Sequence, residues 1–454
     1  MTHDPDWTAP KHGHDFRDDD ILLVTGWLRS FVLAADMERR LGAVRERLTE
    51  ARSRIIAGER AELFDSSDLA AWYLFQAEAY AKDRRFWVPE EAMRIVPIMK
   101  RLGIEFALLL QIEGIAERAA RLMTSERRQP DAGLFEMLVA LAYRRAGWTR
   151  VDFVPEERGR RRTPDLQVSR PGRSFAVECK RMMPSVYEQK ERQRGEDLAR
   201  PIHALCLELG ASVVVEVIYN VELTAVPDEY LIAHVRERID RRDITPWSDE
   251  FAEGQVRPVA WSLTHKVLSK DDVYFGSSRM IELMSGTYLH NAEHSIAARW
   301  RPAPERPFYA EAIYQASVVT WFSGSTDAIL RKARHFKSTL SQAEEQLPSD
   351  RPGVVHVGFE NTGGPEVDSA RHFRNWLEAK FFEPRDSRLR WVYAHYFAPE
   401  ATTRPNESWA ITESVVPFRI GRHKTQWPLP NQLLLTAAEQ MTEGVHWDRF
   451  QSQS

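Results

Sequence analysis

One stretch of seventeen residues, PDLQVSRPGRSFAVECK (residues 164–180), constrains the fold more than any other part of the chain. Polar and apolar residues alternate on both sides of a Pro-Gly pair (171–172), and this pattern predicts two strands joined by a tight turn. A two-residue loop and a four-residue loop give the same register. In both cases Asp165 lies opposite Glu178, with Cβ atoms roughly 5 Å apart.

Alternation along the second strand divides its side chains between two faces, and Lys180 lies on the same face as Glu178. The opposite face, directed into a core, carries Phe175, Val177 and Cys179. Two facing carboxylates repel each other, so the pairing requires a cation between them. Mg²⁺ or Mn²⁺ prefers such oxygen ligands, and the lysine adds a second positive charge. This combination is typical of a site that hydrolyses phosphodiester bonds.

The composition is that of a globular protein and not of a disordered or fibrous one. The chain has 454 residues, of which 43% are hydrophobic and 28% are charged, and this length suits two or three domains. Its two cysteines, Cys179 and Cys206, are too few for a disulfide framework, so we expect a cytoplasmic protein. The polar start of the chain does not resemble a signal peptide. The apolar run 21–35 is too short to cross a membrane, and we expect a buried helix there.

Periodicity divides the chain into three parts. Helical patterns fill residues 20–125, and we expect an all-helical N-terminal domain over residues 1–127. From residue 128 the order changes to helix, three strands, helix and strand, which predicts an α/β core with a mixed sheet over residues 128–225. The segments of that core are a helix at 134–148, a strand at 149–155, the two hairpin arms, a helix within 186–209 and an apolar strand at 212–219.

Residues 226–454 are expected to form a mixed α/β C-terminal region. An amphipathic pattern over 326–347 predicts one helix, and an apolar strand follows at 353–359. The polar side of that helix carries Arg331, Lys332, Arg334 and Lys337. This later helix and strand either extend the sheet or form the true last helix and strand of the core. In the second case much of residues 186–321 is an insertion.

The hairpin and the αβββαβ order together resemble the PD-(D/E)xK nucleases of restriction-endonuclease-like fold. The matching residues are Pro164, Asp165, Glu178, Cys179 and Lys180, and the resemblance covers roughly residues 128 to 220. It implies a magnesium-dependent endonuclease in which Asp165, Glu178 and the Cys179 carbonyl bind the metal. Lys180 would orient or activate water.

Two further features agree with a nuclease. Glu136, the only charged residue in LFEMLVALAY, occupies the place where the family often carries an acidic residue on its first helix. The net charge is −4, yet residues 141–200 hold 15 basic and 9 acidic residues. A basic run within that segment would attract a phosphate backbone, and it consists of Arg158, Arg160, Arg161 and Arg162. We expect DNA as the partner, although no motif distinguishes DNA from RNA.

The sequence also offers three alternatives. A second match to the same letters, Asp368 with Glu378 and Lys380, lies in a helical pattern, where about 1.5 Å per residue separates the two carboxylates too far to share a metal. The sequence HNAEH at 290–294 has the form of a zinc-binding helix but no third ligand. Finally, a protein of nuclease fold can bind nucleic acid as a scaffold without cutting it.

Overall fold

The structure is a computed structural model of the 454-residue chain. It describes residues 17–56, 61–82, 84–88, 94–155, 163–304, 306–360, 363–401, 403, 409–429, 433–435 and 445–450. Within these ranges the chain forms two six-stranded sheets with helices packed on them. It is therefore an α/β protein with mixed sheets, as the sequence predicted.

The first part of the described chain is helical. Its helices are α1 (Asp19–Arg29), α2 (Ala34–Ile56), α3 (Leu69–Lys82), α4 (Val96–Ile104), α5 (Phe106–Leu109) and α6 (Ile115–Met123). The single helix expected over 21–35 was wrong, because α1 ends at Arg29 and the chain turns before α2. The Asp18 side chain begins α1 by accepting a hydrogen bond from the Ile21 amide at 3.2 Å. No described helix combines the length and the apolar character that crossing a membrane requires.

The first sheet contains the predicted hairpin, and its strand order is β1-β2-β3-β10-β11-β12. Helix α7 (Pro130–Arg145) precedes it. The strands are β1 (Arg150–Phe153), β2 (Leu166–Arg170), β3 (Arg173–Met182), β10 (Pro352–Glu360), β11 (Arg388–Ala401) and β12 (Trp409–Arg419). One face packs on the N-terminal helices and α7 in a continuous apolar core. The other face packs on α13 (Lys337–Gln346), α14 (Pro365–Phe381) and α15 (His446–Phe450).

The second sheet is formed by the chain between β3 and β10, in the order β5-β6-β4-β9-β7, with β8 paired to β9. Its strands are β4 (Val213–Tyr219), β5 (Trp247–Ser248), β6 (Ala252–Pro258), β7 (Val273–Tyr274), β8 (Glu293–Ala303) and β9 (Arg306–Ser323). Its helices are α8 (Val186–Leu209), α9 (Tyr230–Arg241), α10 (Trp261–Leu268) and α11 (Ser278–Ser285). Helices α8 and α9 cover one face, and α10 and α11 cover the other.

The strand at 213–219 is therefore not a neighbour of the hairpin. The sequence correctly predicted a strand at this position, but this strand, β4, pairs in parallel with β9 of the second sheet. The strand that pairs in parallel with β3 is β10, from Gly353 opposite Ala176 to Phe359 opposite Met182. All but the first residue of β10 are buried, as is usual for a central parallel strand. The later helix and strand thus join the hairpin sheet beside β3, and the second sheet is formed by the chain inserted before them, as in the second of the two arrangements that the sequence left open.

The helix expected over 326–347 was wrong as a single element. It is divided into α12 (Thr326–Lys332) and α13 by a break at residues 333–336. Side chains of α14 stabilise the break by forming hydrogen bonds with its backbone carbonyl and amide groups. Arg371 donates to the Lys332 and Arg334 carbonyls, each at 3.1 Å, and Asn375 accepts from the Phe336 amide at 3.0 Å. Lys332 is buried and paired with Glu191 at 2.7 Å, so it does not lie on a solvated polar face.

Candidate active site

The hairpin has the predicted register. Leu166 pairs with Val177 and Arg170 with Arg173, so the ladder begins one residue after Asp165. Gly172 takes a φ of 75°, which few residues other than glycine adopt easily and which the tight turn requires. Extending this register by one residue places Asp165 opposite Glu178, as the sequence predicted.

Each of the two carboxylates accepts a hydrogen bond from a backbone amide on the facing strand segment, at the point where the ladder ends. The Cys179 amide donates to Asp165 Oδ2 at 2.7 Å, and the Asp165 amide donates to Glu178 Oε2 at 3.3 Å. In an antiparallel pair the amide and the carbonyl of a residue point to the same edge of the strand. From the direction of the Cys179 amide, we expect the Cys179 carbonyl to point to the same edge of β3 as Asp165.

Lys180 lies on the same face as Glu178, as alternation predicted. Its ammonium Nζ is 2.6 Å from Glu178 Oε1, and its side chain is 25% exposed while that of Glu178 is fully buried. Burial opposes the charged ammonium, but the attraction of Glu178 outweighs burial and raises the pKa of Lys180 above its usual value. The lysine is thus a fixed positive charge between the carboxylates and solvent.

Glu136 lies on α7 and joins the same group of charges. Burial, and next the nearby charge of Asp165, raise the pKa of Glu136 to about 7. Its carboxylate is not unpaired, because Arg118 Nε lies 2.5 Å from Glu136 Oε2 and a second nitrogen of Arg118 binds Glu126 at 2.5 Å. Arg118 was not identified from the sequence. The signal was available, since this arginine lies on the buried stripe of α6 that also contains Ile115 and Leu122.

Three carboxyl groups of the site resist ionisation. Burial, and next the charge of Glu178, raise the pKa of Asp165 to about 7. Burial also raises the pKa of Glu178 to about 7 in spite of the contact with Lys180. Ionising these two groups and Glu136 together is therefore costly unless further positive charge is present beside Lys180 and Arg118. A site of this kind favours the arrival of another cation.

Gln346, at the end of α13, is a second residue that the sequence did not indicate. With its amide nitrogen turned toward the carboxylate, Gln346 donates to Glu178 Oε1 at 2.5 Å and to Oε2 at 3.2 Å. Helix α13 therefore contributes to the site as well as covering the sheet. The contact was not predictable, because it depends on β10 carrying α13 back onto β3.

The oxygen donors fit a hard divalent ion. Two carboxylates and one carbonyl suit Mg²⁺ or Mn²⁺, which commonly keep several positions for water and phosphate oxygens. Among the described residues, no group of three or more histidine, cysteine, aspartate or glutamate side chains has the geometry of a metal site. This result is compatible with the expected ligands, because only two of them are side chains, Asp165 and Glu178, and the third is the Cys179 backbone.

Two other sequence candidates lie away from the hairpin, and a third falls outside the described residues. Arg158, Arg160, Arg161 and Arg162 fall within residues 156–162, outside the described residues. The zinc-like pattern at 290–294 occupies a turn and the start of β8, so its histidines do not share a helix face. His294 instead lies 3.0 Å from the Thr320 hydroxyl. The second motif match lies on α14, as predicted, with Asp368 buried against Arg371.

Comparisons with known proteins add no assignment to this geometry. No protein-family model, curated protein or solved structure matches the chain.

Proposed function

We propose that the protein is a metal-dependent nuclease of restriction-endonuclease-like fold that hydrolyses phosphodiester bonds, with DNA as the favoured substrate. One observation carries the proposal: the hairpin brings Asp165, Glu178 and the Cys179 backbone to one point, with the Lys180 ammonium 2.6 Å from Glu178. The order α7, β1, β2, β3, α13, β10 supports the fold, with the second sheet inserted between β3 and α13.

The residues of the chain have distinct roles in this proposal. Asp165, Glu178 and the Cys179 carbonyl would hold Mg²⁺ or Mn²⁺. An ion held by these residues would supply Lewis-acid chemistry, which polarises a phosphate and makes a nearby water more acidic. Lys180 faces the same place and would orient the attacking water and stabilise negative charge on the phosphate. Gln346 would fix the Glu178 carboxylate. Glu136, paired with Arg118 and close enough to Asp165 to feel its charge, would tune the site or help to bind a metal.

The test is cleavage of a panel of duplex DNA, single-stranded DNA and RNA with Mg²⁺, Mn²⁺ or a chelator. We expect metal-dependent cleavage that Lys180→Ala abolishes while most nucleic-acid affinity remains, because one lysine supplies a small part of the attraction. Lys380→Ala is the matched control, since Lys380 belongs to the same sequence pattern but lies exposed on α14. It should cut like the parent.

The outcomes separate a nuclease from a scaffold. Binding that persists in chelator, with no cleavage of any substrate in Mg²⁺ or Mn²⁺, would identify a protein that binds nucleic acid on this face without cutting it. Cleavage by Lys180→Ala at the parent's rate would show that the active site lies elsewhere. Loss of activity in both lysine variants would point to loss of folding and not of catalysis.

A further inference from the structure

A basic pocket lies at the turn end of the β2–β3 hairpin, far from the carboxylates. Its volume is 550 Å³, and its walls include four cationic side chains and one tryptophan. We call it the turn pocket and define it by Arg170, Arg173, Arg419, Lys424 and Trp427. No aspartate or glutamate lies among its described lining residues. The volume falls within the range of pockets that bind small molecules.

Three of the four positive charges of the turn pocket, those of its arginines, contact neutral groups. The Arg170 guanidinium stacks 4.8 Å from the Trp148 ring, and that of Arg419 lies 4.9 Å from the Trp391 ring. Arg173 donates to the Gln426 carbonyl at 2.8 Å. Within the described part of the chain, none of the four cations takes part in an ion pair. Their charge is therefore left for an anion, and guanidinium groups are well suited to phosphate oxygens.

The pocket also offers an aromatic surface. Trp427 is 37% exposed, although it is a large apolar side chain, and the edge of its ring system packs against Trp391 with centroids 5.3 Å apart. An exposed ring beside phosphate-binding cations matches the two parts of a nucleotide, because bases stack on aromatic side chains. The neighbouring tryptophan supports the ring in one orientation.

The turn pocket is separate from the proposed active site. Arg173 belongs to the face of β3 that carries Phe175, and its guanidinium lies 5.5 Å from that ring. Glu178 and Lys180 belong to the opposite face. Five residues along a strand correspond to roughly 17 Å at about 3.3 Å per residue. A phosphate in the pocket is therefore not the scissile phosphate.

From these observations we infer that the turn pocket binds a nucleoside polyphosphate, with the phosphates on the four cations and the base on Trp427. This inference does not depend on the proposed nuclease activity. Four positive charges match the three to four negative charges of a triphosphate chain more closely than they match the charge of a single phosphate. A duplex, whose phosphates lie along convex ridges, fits a recessed pocket less well.

Binding of ATP, GTP and inorganic tripolyphosphate to the full chain tests the inference, by equilibrium dialysis in a chelator that keeps metal out of the active site. We expect all three to bind, and Arg170→Gln combined with Lys424→Gln to weaken each at least about tenfold. Trp427→Leu should weaken the nucleotides but not tripolyphosphate. Arg236→Gln, an exposed arginine on α9, is the matched control and should change nothing.

Lys424→Gln alone is included in case the double variant misfolds. This single substitution should leave the fold intact, because Lys424 is exposed and has no described side-chain contact. Thermal unfolding of each variant accompanies the binding assay. Absence of binding to all three probes would overturn the inference, as would equal binding by the parent, the double variant and Lys424→Gln. If these variants lost duplex DNA binding while nucleotide binding stayed unchanged, the pocket would instead belong to a DNA-binding surface, and the inference would be wrong.

Discussion

Replacing Asp165 with asparagine should stabilise the metal-free protein at high pH. Asp165 is half-buried beside the fully buried Glu178, and its pKa rises from 3.8 to about 7 on folding. Because the folded pKa is the higher one, the contribution of this group to stability is fully present below about pH 4 and is lost as the pH rises through about 7. An asparagine stays neutral over this range and can still accept the Cys179 amide.

The size of this change in the free energy of unfolding follows from the pKa of Asp165. Two pKa units separate pH 5 from the folded pKa of about 7, and each unit corresponds to about 1.36 kcal/mol. Ionisation of Asp165 therefore lowers the free energy of unfolding by up to about 2.7 kcal/mol between pH 5 and pH 8. Glu178 titrates in the same range and shares the repulsion. We therefore expect the advantage of Asp165→Asn to grow by roughly 1–3 kcal/mol between the two pH values.

The assay is urea denaturation of the parent and of Asp165→Asn at pH 5 and pH 8 in a chelator, repeated with Mg²⁺. Mg²⁺ should stabilise the parent at pH 8 and have little effect on the variant. Asp68→Asn is the control, because Asp68 pairs with the buried Arg40 at 2.6 Å and its loss should destabilise the protein. Equal destabilisation of Asp165→Asn at both pH values would refute the reasoning and leave Asp165 as an ordinary hydrogen-bond acceptor.

Three further outcomes are expected. Mg²⁺ should raise the Tm of the parent more at pH 8 than at pH 5, because its ligands must be ionised; an equal rise in scanning fluorimetry would contradict the assigned ligands. Gly195→Ala should destabilise by roughly 1–3 kcal/mol in urea, because the added methyl meets the Trp321 indole; stabilisation would contradict the packing of α8 on β9. His446→Ala should cost roughly 1–3 kcal/mol, because His446 binds Asp368 and Ser414, both at 2.9 Å; unchanged unfolding would show that this contact is dispensable.

The sequence by itself determined the hairpin and the faces of its strands. The turn residues, the alternation and the register all lie within residues 164–180, so no distant contact was needed to place Asp165 opposite Glu178. The same holds for the type of most elements, including the helix at Val186–Leu209 and the strand at Val213–Tyr219. Glu136 was also found this way, since one charge in an apolar helix is visible without a structure.

Tertiary structure decided which strand completes the sheet and which partners surround the carboxylates. Both β4 and β10 are apolar strands that follow a helix, and nothing in their own residues distinguishes the neighbour of β3 from a strand of the second sheet. The break between α12 and α13 likewise depends on side chains of α14, which lies more than thirty residues away. Arg118 and Gln346 reach the site only after their helices pack. Strand pairing and helix breaks of this kind depend on contacts between distant segments, which local periodicity does not encode.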